Sequence, residues 1–203
     1  MRKIDPAKQQ AKRQQIVEAA IVCFAQRGFH ATSTAQICAQ AGMSPGNLFH
    51  YFPTKDAIIQ AIAELDRLET AQALAQIADA PNVIEGLQFL AQQVLIAASD
   101  PSYRAISIEV AAEAARNPLV GALFAANDIV ARTDLVRLLE RGVRLGQVDA
   151  SLNLPQIASW LIAFLEGGIG RAVVEPDFNI AAHQQTLRDI ISRMLSPKTV
   201  KTI

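Results

Sequence analysis

Apolar residues recur at helical spacing along most of the chain, and prolines and glycines separate the periodic segments. The first segment has an apolar residue at every third or fourth position, which is typical of an amphipathic helix. These apolar residues are Ile16, Val17, Ala20, Ile21 and Phe24. Asp5 followed by Pro6 is a common helix start and Gly28 a common helix end, so we predict a helix over residues 6–27.

The nine prolines serve as further markers of helix starts and ends, and they divide the rest of the chain into eight more helices. We predict these helices at about 33–42, 45–52, 55–79, 82–99, 102–116, 119–146, 156–174 and 180–195. No stretch alternates apolar and polar residues with the Val, Ile or Thr enrichment of a half-buried strand. The expected fold is therefore all-α, with about nine helices.

Two of the predicted helices are short and are joined by the tight turn Gly42-Met43-Ser44, which is typical of a helix-turn-helix. Ser33 and Gln36 form a capping-box pattern at the first helix, and Ser44 is a suitable N-cap for the second. Four apolar residues are placed to hold the two helices together: Ile37, Ala41, Leu48 and Phe52. Polar donors that suit phosphate oxygens and base edges are left for the outer surface: Ser33, Thr34, Ser44, Asn47, His50, Tyr51 and Lys55.

Residues 10–60, and above all the runs 16–29 and 32–56, resemble the N-terminal domain of TetR-type (tetracycline-repressor-like) transcriptional regulators. Ten residues agree in spacing with that family: Gly28, Ile37, Ala41, Gly42, Ser44, Gly46, Leu48, Tyr51, Phe52 and Lys55. The resemblance implies a homodimer, with a DNA-binding domain over 1–56 and a ligand-binding and dimerisation domain over 57–203. It also implies double-stranded operator DNA as a partner and a small molecule as the effector.

By the same resemblance, seven residues contact DNA: Thr34, Tyr51 and Lys55 on phosphates, Pro45, Gly46 and Asn47 at base edges, and His50 in either role. Asn47 is the best candidate for direct readout, because an amide bonds bidentately to adenine. Ser33 is more typical of a structural cap than of a readout residue. Phe49 stands where the family often has Tyr, which removes a hydroxyl that commonly touches phosphate, and Cys38 replaces the usual Ala.

Basic and acidic side chains are balanced, 19 against 19, over the 203 residues. Residues 1–56 hold seven basic and three acidic ones, a net charge of +4, so the remainder carries −4. This asymmetry favours a nucleic-acid-binding N-terminal part. Lys8, Lys12 and Arg13 are expected to add non-specific affinity, so that removing residues 1–9 and neutralising Lys12 and Arg13 would flatten the salt dependence of DNA binding.

The remainder of the chain is expected to dimerise and to bind the effector. The last two helices are expected to form a four-helix bundle across a two-fold axis. Its contacts are predicted at Trp160, Leu161, Phe164, Gly167, Gly168, Leu187, Ile190 and Ile191. Effector contacts are predicted at Phe89, Tyr103, Ile106, Glu109, Glu113, Phe124, Trp160 and Phe164. In the family, the ligand displaces the fourth helix and changes the separation of the two recognition helices.

Residues 108–119 resemble a C-terminal subgroup of the family that includes the choline-responsive repressors. Glu109 and Glu113 lie four residues apart, on one face of a predicted helix, and would suit a cationic ligand. Pairing of Glu113 with Arg116 or Arg104 is the alternative, and we favour that structural explanation.

These features favour a sequence-specific regulator, a repressor released from a palindromic operator by a small molecule. Cys23 and Cys38 leave one alternative, a thiol-based redox-sensing regulator. An enzyme, a cofactor and a metal site are not expected, since the histidines (His30, His50, His183) are scattered and Gly168-Ile-Gly-Arg lacks flanking strands. The apolar charge-free stretches 86–99 and 150–165 are shorter than the roughly 18 residues that span a bilayer. We therefore expect a cytoplasmic protein with no membrane partner.

Overall fold

A computed structural model describes residues 5–175, 178 and 180–197. The described part contains helices and no strands, so the all-α prediction is confirmed. The helices are α1 Pro6–Arg27, α2 Thr34–Gln40, α3 Pro45–Tyr51, α4 Lys55–Ile77, α5 Val83–Ala97, α6 Pro101–Arg116, α7 Pro118–Arg144, α8 Leu154–Val174 and α9 Ile180–Leu195. Within the described residues their number equals the predicted nine, and no bound differs from the predicted one by more than two residues.

The predicted caps are present where local chemistry specifies them. Asp5 caps α1, with its Oδ1 accepting from the N–H of Ala7 at 3.1 Å. At the start of α2, the Ser33 Oγ accepts from the N–H of Gln36, whose Oε1 accepts from the Ser33 N–H at 2.7 Å. Gly28 follows α1 with φ +79°, a conformation that favours glycine, and its N–H donates to the Phe24 carbonyl.

The chain divides into two compact units. The first holds the chain up to Asp66 together with Ala105–Ala125, and the second holds Arg67–Arg104 and the chain from Ala126 onward. The three points where the chain passes between the units fall inside α4, α6 and α7. The predicted boundary between DNA-binding and ligand-binding domains, at 56/57, stays a prediction. The first compact unit is larger than the predicted DNA-binding domain, because it also includes the start of α4 and parts of α6 and α7.

The first unit has a core built by α1, α2, α3 and α4. The four residues predicted to hold the helix-turn-helix together, Ile37, Ala41, Leu48 and Phe52, are all buried. Residues of α6 and α7 pack against this core, with Val120 completely buried and Ile106 and Phe124 half-buried. In the second unit, α5 packs against α8 and α9 around completely buried Leu139, Ala158 and Leu195.

The apolar helix α8 changes one expectation from the sequence. Its 21 residues are long and apolar enough, by length and composition, to cross a membrane, with a mean hydropathy of 1.5 over its most apolar window. Glu166 ends the charge-free stretch 150–165 that the sequence prediction was based on. The helix continues beyond it, and the single carboxylate of Glu166 and the charge of Arg171 leave it apolar on average. Three of its residues, Ala158, Leu161 and Ile169, are buried in the second unit.

Candidate nucleic-acid interface

The surface of α3 carries the residues predicted to read bases. Ser44 caps the helix and Pro45 occupies its first position, as expected. Pro45, Gly46, Asn47 and His50 are exposed, whereas Leu48 between them is completely buried. A Cβ atom built on Gly46 meets no atom within 4 Å. The structure thus brings the predicted base-edge residues together on one open face.

Aromatic groups flank this face. The rings of His50 and Tyr51 meet edge to face, with their centroids 5.1 Å apart. Tyr51 is half-buried and Phe49 is 46% exposed. Phe49 therefore presents an apolar ring to solvent at the place where the resembled family often offers a hydroxyl.

Ser33 and Thr34, at the start of α2, are less available for DNA contacts than their hydroxyl groups suggest. The Ser33 hydroxyl is engaged in the capping box and also donates to Gln36 Oε1 at 3.1 Å. Thr34, the first residue of α2, is half-buried. The preference for Ser33 as a structural cap agrees with this geometry, and the phosphate role of Thr34 stays a prediction.

Lys55 has an intramolecular role that the sequence did not reveal. Its Nζ donates to the carbonyls of Phe29 at 2.6 Å and Thr32 at 3.2 Å, and lies 4.3 Å from the centroid of the Phe29 ring. An ammonium has three N–H groups, so two of them serve the loop between α1 and α2. The predicted phosphate contact by Lys55 rests on the one that remains.

Arg13 also differs from the free cation that its position in the basic leader suggests. Its Nη1 donates to the Tyr51 carbonyl at 3.0 Å, and its guanidinium lies 4.3 Å from the centroid of the Phe52 ring. Neutralising Arg13 would therefore disturb the end of α3 as well as the charge. Lys8 and Lys12 are exposed, and Arg2 and Lys3 lie outside the described residues. The expected change in salt dependence is best tested on Lys8 and Lys12.

The two glutamates of α6 bind the chain itself. Glu109 Oε1 accepts from the N–H of Phe29 at 2.6 Å. Glu113 is completely buried, accepts from Asn117 Nδ2 at 3.1 Å, and lies 3.7 Å from Arg116. Arg104 instead donates to the carbonyls of Ala98 and Ser99. Of the two pairings that we favour for Glu113, the one with Arg116 is present.

The predicted effector residues are divided between the two units, and their common role stays a prediction. Ile106, Glu109, Glu113 and Phe124 belong to the first unit, and Phe89, Tyr103, Trp160 and Phe164 to the second. The second unit contains a small apolar cavity that is partly open to solvent. Among the eight predicted residues, Phe164 alone lines it. The others in the lining, which the sequence did not single out for the ligand, are Leu87, Leu90, Ala91, Leu135, Leu161, Leu165, Leu187 and Ile191.

The predicted dimer residues fall into two groups. Leu161 and Ile191 are buried in the core of their own unit, Leu187 packs against that core, and a Cβ on Gly168 would lie 3.0 Å from Leu95 Cδ2. The other four are exposed and remain available to a second protomer: Trp160, Phe164, Gly167 and Ile190. Helical periodicity alone did not separate these two faces.

Both thiols lie in the core of the first unit. Cys23 and Cys38 are only 2% and 4% exposed. Burial raises the pKa of each thiol; the Arg27 charge opposes this for Cys23, and a backbone hydrogen bond opposes it for Cys38. A raised pKa leaves less of the nucleophilic thiolate at neutral pH, so neither site has the character of a redox sensor.

We expect both thiols to react slowly while the protein is folded. At pH 7 a small disulfide reagent should modify them at least about tenfold more slowly than an unfolded control, because burial suppresses both access and thiolate formation. Reaction should speed up with unfolding. Rapid modification of the native protein, accompanied by loss of operator affinity, would contradict this expectation.

Metal binding receives no support from the described part of the chain. No group of three or more His, Cys, Asp or Glu residues within it is placed to hold a metal ion. His30 lies beside Glu113, whereas His50 lies beside Tyr51.

Comparison with known proteins identifies the family. Residues 16–62 match the bacterial regulatory proteins of the tetR family, and residues 83–196 match the C-terminal region of the BetI-type transcriptional repressors. The HTH-type transcriptional regulator UidR of Escherichia coli K12 is 28% identical over 191 residues, which cover 92% of this chain and 94% of that protein. The regulator RutR of the same organism is 46% identical over 52 residues, 26% of this chain and 24% of that protein.

Solved structures agree in fold. Salmonella enterica GusR is 28% identical, covers 91% of this chain with 95% of its own, and superposes with a TM-score of 0.80. The family consists of DNA-binding regulators, which are not enzymes. The chain belongs to the TetR family, as a helix-turn-helix transcriptional regulator with the C-terminal region of the BetI-type repressors.

Proposed function

We propose that two copies of this chain bind a palindromic operator and repress transcription until a small molecule binds the C-terminal region. The observation that carries the proposal is the open face of α3, where Pro45, Gly46, Asn47 and His50 are exposed beside the completely buried Leu48. A recognition helix of this kind reads base edges in the major groove, and a two-fold dimer presents two of them to symmetric half-sites.

Charge supports the same arrangement. Residues 1–56 carry a net charge of +4, and a dimer has two such regions. Basic residues give the sequence-independent part of DNA affinity, whereas base contacts give specificity. In the proposed complex, Asn47 reads a base, Pro45, Gly46 and His50 lie close to base edges, and Thr34 and Tyr51 contact phosphate.

Substitution of Asn47 tests the readout. Asn47→Ala should cost about 1–3 kcal/mol and relax the preference at one position per half-site, because a bidentate base contact is lost. The measurement is the affinity for a set of operators that differ at one base pair. Equal loss on every operator would contradict a reading role.

Lys55→Ala is the comparison variant, with an outcome of its own. It should weaken binding to all operators about equally, because a phosphate contact carries no sequence information. Its thermal stability must be measured in parallel, since the Lys55 ammonium also holds the carbonyls of Phe29 and Thr32. A change in base preference by Lys55→Ala would contradict the assignment.

The dimer surface is proposed on the exposed side of α8. Trp160, Ala163, Phe164 and Gly167 are exposed at positions that fall on one helix face, and the rings of Trp160 and Phe164 lie 6.1 Å apart. Large exposed apolar groups favour an interface over a solvated surface. Small residues at 163 and 167 permit close approach of a second helix. Ile190 adds an exposed apolar group on α9.

The effector site is proposed in the second unit, at the cavity lined by Leu87, Leu135, Phe164 and Leu187 together with their neighbours. The lining side chains are apolar, so this cavity would take an apolar part of the effector. A thermal-shift series of compounds that differ in alkyl length should show stabilisation that rises with length. The protein would act in the cytoplasm, where operator and effector are both accessible, and α8 would face its partner copy.

A further inference from the structure

The loop that joins α1 to α2 is a tightly held element of the first unit. Phe29 is buried and its ring lies against Phe24, with centroids 5.1 Å apart. Thr32 is also buried, and its hydroxyl lies within hydrogen-bond distance of the carbonyls of Gly28 (2.8 Å) and Cys23 (3.1 Å). The loop therefore has a defined conformation directly before α2.

The peptide groups of Phe29 connect two helices. Its N–H donates to Glu109 Oε1 of α6 at 2.6 Å, and its carbonyl accepts from Lys55 Nζ of α4 at 2.6 Å. Hydrogen bonds with an ionised partner are shorter and stronger than neutral ones. Lys55 is the first residue of α4 and follows the recognition helix after a short turn.

Glycine at position 28 fits this contact sterically. A Cβ atom built on Gly28 would lie 3.2 Å from Glu109 Oε1, closer than ordinary van der Waals contact. The positive φ of Gly28 independently disfavours other residues. Glycine therefore suits the backbone conformation at this position and leaves room for the carboxylate of Glu109.

One turn further along α6, Glu113 reaches the same loop. Its Oε2 lies 2.9 Å from Nε2 of His30, whose side chain is 70% exposed. That oxygen forms no hydrogen bond of suitable geometry within the described residues, although Glu113 is completely buried. Burial of a carboxylate costs several kcal/mol unless it is paired, and the partners of Glu113 are Asn117, Arg116 and His30 of the loop.

We propose that Glu109, with Glu113 beside it, is a positioning residue that ties α6 to the α1–α2 loop and thereby holds the helix-turn-helix in its DNA-binding arrangement. The proposal rests on the operator binding proposed above. This tie through α6 would act in addition to α4, the helix that connects the recognition helix to the C-terminal region. Residues 101–104 of α6 belong to the second unit and residues 105–116 to the first, so the helix that holds the loop begins in the ligand-binding part of the chain.

Variants of Glu109 separate positioning from simple loss of charge. Glu109→Ala removes the acceptor for the Phe29 N–H, whereas Glu109→Gln keeps a side-chain oxygen that accepts. Glu140→Ala removes one negative charge at an exposed position of α7 and serves as the matched control. Affinity is measured on the operator selected by the wild-type protein.

We expect Glu109→Ala to weaken operator binding about fivefold or more and to speed hydrogen exchange of the Phe29 amide, because the loop loses its tie to α6. Glu109→Gln should recover most of both properties, and Glu140→Ala should match the wild type. Operator affinity of Glu109→Ala within twofold of the wild type would overturn the proposal. So would a loss that glutamine does not restore although the variant is folded.

A measurement on the wild-type protein covers the case in which Glu109→Ala fails to fold. Operator binding should slow exchange of the Phe29 amide, since DNA selects the arrangement in which the loop is held. Equal exchange in free and bound protein would overturn the positioning role. If the wild-type protein selects no DNA at all, the proposed function itself fails, and that result is distinct from failure of this inference.

Discussion

Gly46→Glu is expected to abolish operator binding while leaving the protein folded. Gly46 is exposed near the start of α3, and an added Cβ meets no atom within 4 Å, so the monomer accommodates a side chain there. Glutamate is a better helix former than glycine, and an acidic residue in the first turn of a helix is favourable. Thermal stability should stay equal or rise slightly.

The effect on DNA binding should be large because the substitution occurs in the recognition helix of both protomers. A carboxylate at the base edges and phosphates brings like charges together, which costs several kcal/mol per contact. Operator affinity should therefore fall by a factor of about 100 or more. Ala126→Glu, which adds the same charge at an exposed position of α7, is the control and should lose far less. Near wild-type affinity of folded Gly46→Glu would remove α3 from the interface.

Gly167→Trp is expected to convert the proposed dimer to a monomer. Gly167 is exposed on α8 and an added Cβ there also meets no atom within 4 Å, so a side chain at this position can extend into solvent in the single protomer. A second α8 packed against this position has no such room. Sedimentation should shift from twice the chain mass to the 21.9 kDa of one chain.

Loss of the dimer should also lower operator affinity. Two linked DNA-binding domains bind an operator roughly 100-fold or more tightly than one, and a monomer loses that gain. Ala75→Trp, at an exposed position of α4, tests whether a new indole alone changes the mass. A Gly167→Trp protein that still sediments as a dimer would place the interface away from this face of α8.

The elements of this fold were predictable where the signal is local. Ser33 with Gln36, and Asp5 before Pro6, carry their capping chemistry within a few residues, and the structure has both caps. The outward face of α3 followed from the prediction that Leu48 and Phe52 pack against the preceding helix, and both are buried. A resemblance that spans residues 10–60 supplied the roles, and the family match over 16–62 agrees with it.

Contacts between distant parts of the chain were not predictable in the same way. Glu109 and Phe29 are 80 residues apart, and Arg13 reaches the Tyr51 carbonyl over 38 residues. A backbone carbonyl or N–H has no signature in a sequence, so charged side chains that bind one look like free surface charges. For this reason Lys55 and Arg13 were assigned to DNA alone and Glu109 was considered for a ligand.

The face of an apolar helix is similarly underdetermined. In α8, Leu161 faces the core of its unit while Trp160 is 60% exposed, although the two are neighbours in an apolar run. Periodicity separates polar from apolar faces, and this helix has apolar residues on both. The exposed side was separable from the core side only once the packing of α8 against α5 was known.

The central claim is that a two-fold dimer reads DNA through α3, and selection of binding sites from a random DNA library tests it most directly. The enriched sequence should be a palindrome whose half-sites are separated by about one helical turn or a multiple of it, with two protomers bound per site. Selection by Gly46→Glu should enrich nothing. Enrichment of a single unsymmetric site by the wild-type protein, or of the same site by Gly46→Glu, would contradict the account.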